Sequence, residues 1–196
     1  MIDDLASQSS MISFENKCIF VHIPKTGGTS IEDAIWGSDH SKRTVDQLWM
    51  GVVRPGYNKY QSGGLQHLLA SQIRQEVGKE TFDNYFKFTF VRNPWDKVVS
   101  QYLYVKKRPM IMKSMGIDRR TPFANYVEAL ARNHRVHVQS FEQWQFLLDD
   151  NSESMVDFIG RFENLDHDFQ IVAKSIGLPG RKLPHKMKSW WRKTYQ

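Results

Sequence analysis

Apolar positions along the chain fall into short unbroken runs separated by stretches of helical spacing, and the two kinds alternate. "CIFVHI" (Cys18 to Ile23) is short, β-branched and aromatic and is stopped by Pro24, the pattern of a buried strand. "YFKFTFV" (Tyr85 to Val91) reads the same way, and "MVDFIGRFENL" predicts a third strand. Between them the spacing changes to that of helices. "TSIEDAIW" puts Ile31, Ala34 and Ile35 on one face, and "LQHLLASQIRQEVG" puts Leu65, Leu68, Leu69, Ile73 and Val77 on one stripe, with His67 in its first turn. In "RNPWDKVVSQYLYV", Asn93 caps, Pro94 takes the first helical position, and Trp95, Val98, Val99, Tyr102 and Leu103 recur at helical spacing. "TPFANYVEALAR" repeats that signature, with Thr121 as cap and Phe123, Tyr126, Val127 and Leu130 inward. A last helix starts at Asn164, buries Leu165, Phe169, Val172 and Ile176, and ends at Gly177. Strands alternating with helices predict an α/β fold, a parallel sheet with helices on both faces. Ser38 to Gln66 has weak periodicity and reads as irregular surface structure.

A chain of 196 residues, 40% hydrophobic and 24% charged, is of a size for one domain, 1–196, with its core at about 18–178. Repeats, low-complexity tracts and linkers are not evident. The formal charge of +6 favours anions without saying which. The single cysteine, Cys18, lies inside a strand and reads as a small buried hydrophobe. "MIDDLASQSS" lacks a basic segment followed by an apolar one, and no apolar run reaches bilayer length, so the chain reads as soluble and cytoplasmic.

The chemistry gathers where predicted strands end. In open α/β sheets ligands sit at the carboxyl ends of strands, and two such ends carry anion-binding residues. Gly27 and Gly28 allow close approach of backbone N–H groups to an anion, the following helix adds its positive end, and Lys25, Thr26, Thr29 and Ser30 add a charge and three hydroxyls. At the second end Arg92 offers a planar fork suited to phosphate, with Ser100 eight residues on. A nucleotidase loop needs its lysine after the last glycine and a hydroxyl for magnesium. Here Lys25 precedes the glycines and the second strand ends in Arg92, so two cationic anchors and no metal are expected.

"IPKTGGTS" and "FVRNPWDKVVSQY" together resemble the 5′-phosphosulfate-binding loop and the 3′-phosphate-binding segment of sulfotransferases that use 3′-phosphoadenosine 5′-phosphosulfate (PAPS), in the family 2, carbohydrate-type form. The likeness runs from about Ile19 to Tyr195 and includes "FDNYFKF", "IGRFENLDHDF" and "LPHKMKS". It implies a P-loop-like three-layer fold and transfer of a sulfuryl group to an acceptor hydroxyl, expected on a saccharide. It assigns the 5′-phosphosulfate to Lys25, Thr26, Gly27, Gly28, Thr29 and Ser30, with Lys25 also catalytic, and the 3′-phosphate to Arg92 and Ser100. His67, between the two motifs, is the expected base; capping or packing at a helix start is its plain structural alternative. His22 reads as a core residue, Arg161 and Glu163 as residues that orient the loops or pair structurally, and Lys186, Lys188 and Ser189 as weaker nucleotide contacts. "KKRPMIMKSMGIDRR" is either an acceptor-receiving stretch or a solvated loop. Similar domains continue past the position of Tyr195, so segment 179–196 is expected either to close over the nucleotide or to be cut short, leaving Trp190 and Trp191 part-exposed. Two further readings stay open: a nucleotide-binding protein without activity and a P-loop-like kinase. A nucleic-acid binder has no motif behind it.

Overall fold

A computed structural model describes residues 11–37, 67–132 and 141–184. Ser38 to Gln66, Leu65 within it, Lys186, Lys188, Ser189, Trp190 and Trp191 lie outside the described residues.

Four strands form one sheet in chain order: β1 (Ile12–Ser13), β2 (Cys18–Val21), β3 (Phe86–Val91) and β4 (Phe158–Arg161). β1 pairs antiparallel with β2, while β2, β3 and β4 run parallel. The helices are α1 (Gly28–Trp36), α2 (Ala70–Val77), α3 (Lys79–Asn84), α4 (Pro94–Val105), α5 (Pro109–Ser114), α6 (Phe123–Arg132) and α7 (Leu165–Ser175). The expected alternation therefore holds, with β1, α3 and α5 added to it.

Strand alternation divides the core between the two faces of the sheet. Cys18 and Phe20 of β2 join Phe88 and Phe90 of β3 against Ile31 of α1, Phe169 and Val172 of α7 and Ile176 just past its end. Ile19, Val21 and Ile23 face the other way, against Leu68, Ile73, Phe82 and Phe146. Both faces of β2 are thus apolar, as a central parallel strand requires. Burial pushes the Cys18 thiol up to about 12, which keeps it an inert packing group. Gly160 of β4 leaves room for the Phe90 ring, which a Cβ there would meet at 2.5 Å.

α4 departs from its predicted stripe. Asn93 Oδ1 accepts from the Trp95 and Asp96 amides and Pro94 opens the helix, as read. Trp95, however, is 80% exposed, and the buried face is Lys97, Gln101 and Val105. The apolar flank of α4, Val98 and Tyr102, packs instead into a small third cluster with Met112, Met115 and Tyr126 of the α5–α6 region. Burial alone pulls the Lys97 ammonium down to about 8. In α6, Tyr126 and Ala129 point inward, whereas Phe123 and Val127 are exposed. The Thr121 hydroxyl is taken up in a turn with Asp118.

α2 starts later than its apolar pattern suggests. Leu69 is extended, and its amide donates to the Gln72 side chain, so the helix begins at Ala70. His67 consequently stands before the helix, not in its first turn.

Candidate functional site

The β2–α1 loop is held from inside and curled by unusual backbone. Lys25 (φ 68) and Gly27 (φ 91) are both left-handed, the kind of turn in which successive amides form an anion-binding concavity. For Lys25, which has a Cβ, that conformation costs about 1 kcal/mol. Thr26 is fully buried and its hydroxyl donates to the Ile23 carbonyl at 2.8 Å, so this donor is spent on the chain rather than offered outward. Thr29 is exposed and Ser30 half-buried in the first turn of α1.

Beneath the loop lies a pair that the pattern of residues did not reveal. His22 Nδ1 donates to Glu32 Oε1 at 2.7 Å, both side chains buried. The His22 ring stacks on Phe20 at 5.2 Å and fills the space a side chain at Gly28 would need, since a Cβ there would fall 1.9 Å from Nε2. The second glycine is therefore required by packing as well as by ligand access. Gly28→Ala is expected to cost about 3 kcal/mol, because the imidazole cannot retreat without leaving Glu32. Thermal melts check this: Gly28→Ala combined with His22→Ala should cost less than the sum of the two single changes. Additive losses would mean that the clash is not the cause.

His67 attaches to the same strand end. Its Nδ1 donates to the His22 carbonyl at 2.9 Å, and its ring meets that of His22 edge-on at 4.4 Å. A carbonyl can only accept, so Nδ1 carries the hydrogen and Nε2 is the basic nitrogen of the neutral ring.

At the end of β3, Arg92 is held by both its backbone and its side chain. Gln143, on a 3₁₀ turn at Gln143–Phe146, accepts from the Arg92 amide at 2.8 Å and donates to its carbonyl at 2.7 Å. The guanidinium stacks over Phe162 at 4.1 Å and Nη1 donates to the Lys25 carbonyl at 3.2 Å. Glu163 accepts from the Asn93 amide at 2.6 Å, which ties the β4–α7 connection to the α4 N-terminus. The Arg161 amide donates to Asp168. The loop and Arg92 are thus brought into one cluster across neighbouring parallel strands. Ser100 lies on α4 one turn before Tyr104, whose ring is covered by the Lys25 ammonium at 4.3 Å. Burial first, then Arg108, Arg92 and Lys107, lower the Lys25 ammonium to about 8.

Gln143, Phe162, Tyr104 and Glu32 had no sequence signal of their own. Their partners sit on other elements, and Tyr104 lies on the side of α4 away from its predicted apolar stripe. Beyond α4, an open depression of about 460 Å³ is lined by Pro109, Met112, Lys113, Ile117, Asp118, Arg119 and Arg120. Among the described residues no group of three or more His, Cys, Asp or Glu side chains is arranged to hold a metal ion, and no helix is long and apolar enough to cross a membrane.

Fold and site together define an α/β protein whose parallel strands end in a cationic cluster. A family model described as the sulfotransferase family, in its family 2 form, matches residues 8–196, and the chain belongs to that family of transferases. An uncharacterized protein of Archaeoglobus fulgidus is 42% identical over 110 residues, 56% of this chain and 82% of the relative. No solved structure matches the chain.

Proposed function

We propose that the protein transfers a sulfuryl group from PAPS to an acceptor hydroxyl on a saccharide, within a P-loop-like sulfotransferase fold. The observation that carries this is the meeting of the two motifs: Arg92 hydrogen-bonds the backbone of Lys25, so two anion-binding segments share one site. Residues and ligand agree in charge. Lys25, Arg92, Lys107 and Arg108 raise one another's need for a counter-ion, and a donor with phosphates at both ends supplies it.

In this reading, Lys25 and the amides of Thr26, Gly27 and Gly28 hold the 5′-phosphosulfate together with the Thr29 and Ser30 hydroxyls, and Arg92 and Ser100 hold the 3′-phosphate. His67 Nε2 takes the proton of the acceptor hydroxyl as its oxygen bonds to sulfur and the bond from sulfur to the departing phosphate oxygen breaks. Lys25 faces the charge left on that phosphate. The depression beside Lys113 and Arg120 has the size of a sugar subsite and is the acceptor side.

The test is discrimination between nucleotides. Desulfated 3′,5′-bisphosphate nucleotide at about 100 times its Kd should stabilise the protein by about 2.7 kcal/mol, a rise in Tm of about 5 to 10 °C, while ATP at equal concentration should not. Equal shifts would sink the donor assignment. Binding without transfer to any acceptor would favour the inactive nucleotide-binding reading.

A further inference from the structure

Tyr104 joins two cations that would otherwise repel. The Lys25 ammonium lies 4.3 Å from the ring centroid and the Arg108 guanidinium 3.4 Å from it. Such contacts are favourable for each cation separately, so one ring can station both side by side. Arg108 is exposed and donates one N–H to the Tyr104 carbonyl at 3.5 Å, which leaves most of its planar fork for another acceptor. Among the described residues no carboxylate forms an ion pair with Lys25, Lys107 or Arg108. Among the described residues, the charges that act on Lys25 are positive, from Arg108, Arg92 and Lys107.

Ser100, Tyr104 and Arg108 follow one another at four-residue steps, from within α4 to just past its end. Ser100 stands one turn before Tyr104 on α4, and Lys25 and Arg108 both lie against the Tyr104 ring, so the two cations share the stretch of α4 that follows Ser100. We infer that Tyr104 and Arg108 form a third anion-binding element of this site, in which the Arg108 guanidinium donates to the sulfonate oxygens of the donor. The inference rests on the sulfotransferase reading above. The element is specific to the group being transferred, because the desulfated nucleotide has nothing to place there. Tyr104 acts as a positioning residue, through both cations.

Equilibrium binding of PAPS and of the desulfated bisphosphate, without acceptor, tests it. Arg108→Ala should weaken PAPS about tenfold and the desulfated nucleotide by less than about twofold. Arg108→Lys should recover part of the loss, since charge returns without the fork. Tyr104→Phe should behave as wild type and Tyr104→Leu should lose PAPS affinity as Arg108→Ala does. Equal weakening of both nucleotides, or no weakening of either, overturns the inference; so does unchanged PAPS affinity with a raised KM for the acceptor, which would put an acceptor anion on Arg108. If the desulfated nucleotide fails to bind the wild-type chain, the donor assignment falls and takes this inference with it. If it binds and only the Arg108 selectivity is missing, the donor assignment stands alone.

Discussion

Replacing Lys25 with alanine is expected to lower sulfuryl-transfer turnover by about a thousandfold, the scale of losing a preorganised charge at the developing oxyanion. The same change should leave Tm unchanged or slightly higher. Lys25 is partly buried, left-handed and crowded by Arg92, Lys107 and Arg108, and the cost of that crowding is set against its contact with the Tyr104 ring, so removing both together changes stability little. A variant that lost activity by unfolding would show the opposite, a lower Tm, and that result would remove Lys25 from the chemistry. The pH dependence has a definite sign. With the ammonium lowered to about 8, the charged form prevails below that pH, and kcat/KM for the donor should fall as pH rises through it. Lys25→Arg, charged throughout, should lack that fall in whatever activity it retains.

The second large effect is at His67. His67→Ala should lower turnover by about a hundredfold to ten-thousandfold, the usual range for a lost general base, with affinity for the desulfated nucleotide within about twofold of wild type. The expectation rests on the tautomer. With Nδ1–H engaged by the His22 carbonyl, Nε2 is the nitrogen able to take a proton. Wild-type turnover in His67→Ala would mean that the base is elsewhere. Parallel losses of turnover and nucleotide affinity would mean that His67 only braces the strand end.

β2 and β3 were legible because buried strands are written in short β-branched and aromatic stretches, unbroken in Cys18 to Val21 and interrupted only by Lys87 and Thr89 in Phe86 to Val91, whereas the two-residue β1 is too short to leave such a mark. The Asn93–Pro94 start of α4 was equally plain, since capping depends on neighbouring residues alone. What failed was any inference that needed a third dimension. Trp95 looked like core by its spacing, yet it is exposed, and Lys97 and Gln101 are buried although their side chains are polar. His22 did prove a core residue, as read, but the carboxylate that satisfies it, Glu32, sits on what looked like the wet side of α1. In the candidate site the two motifs were readable because each is contiguous. The residues that aim them, Gln143, Phe162, Glu163 and Tyr104, reach Arg92, Asn93 and Lys25 from other elements, and no local pattern marks such a meeting.

Gln143 gives the end of β3 an unusual neighbour. By accepting from the amide and donating to the carbonyl of Arg92, its side chain does for one residue what a flanking strand does for many: it is a single rung of ladder made without backbone. Only a carboxamide carries a donor and an acceptor in that arrangement. A glutamate of the same shape would turn a second acceptor toward the carbonyl. Strand-like pairing is thereby carried one residue past the end of β3, to the arginine whose guanidinium meets the Lys25 carbonyl.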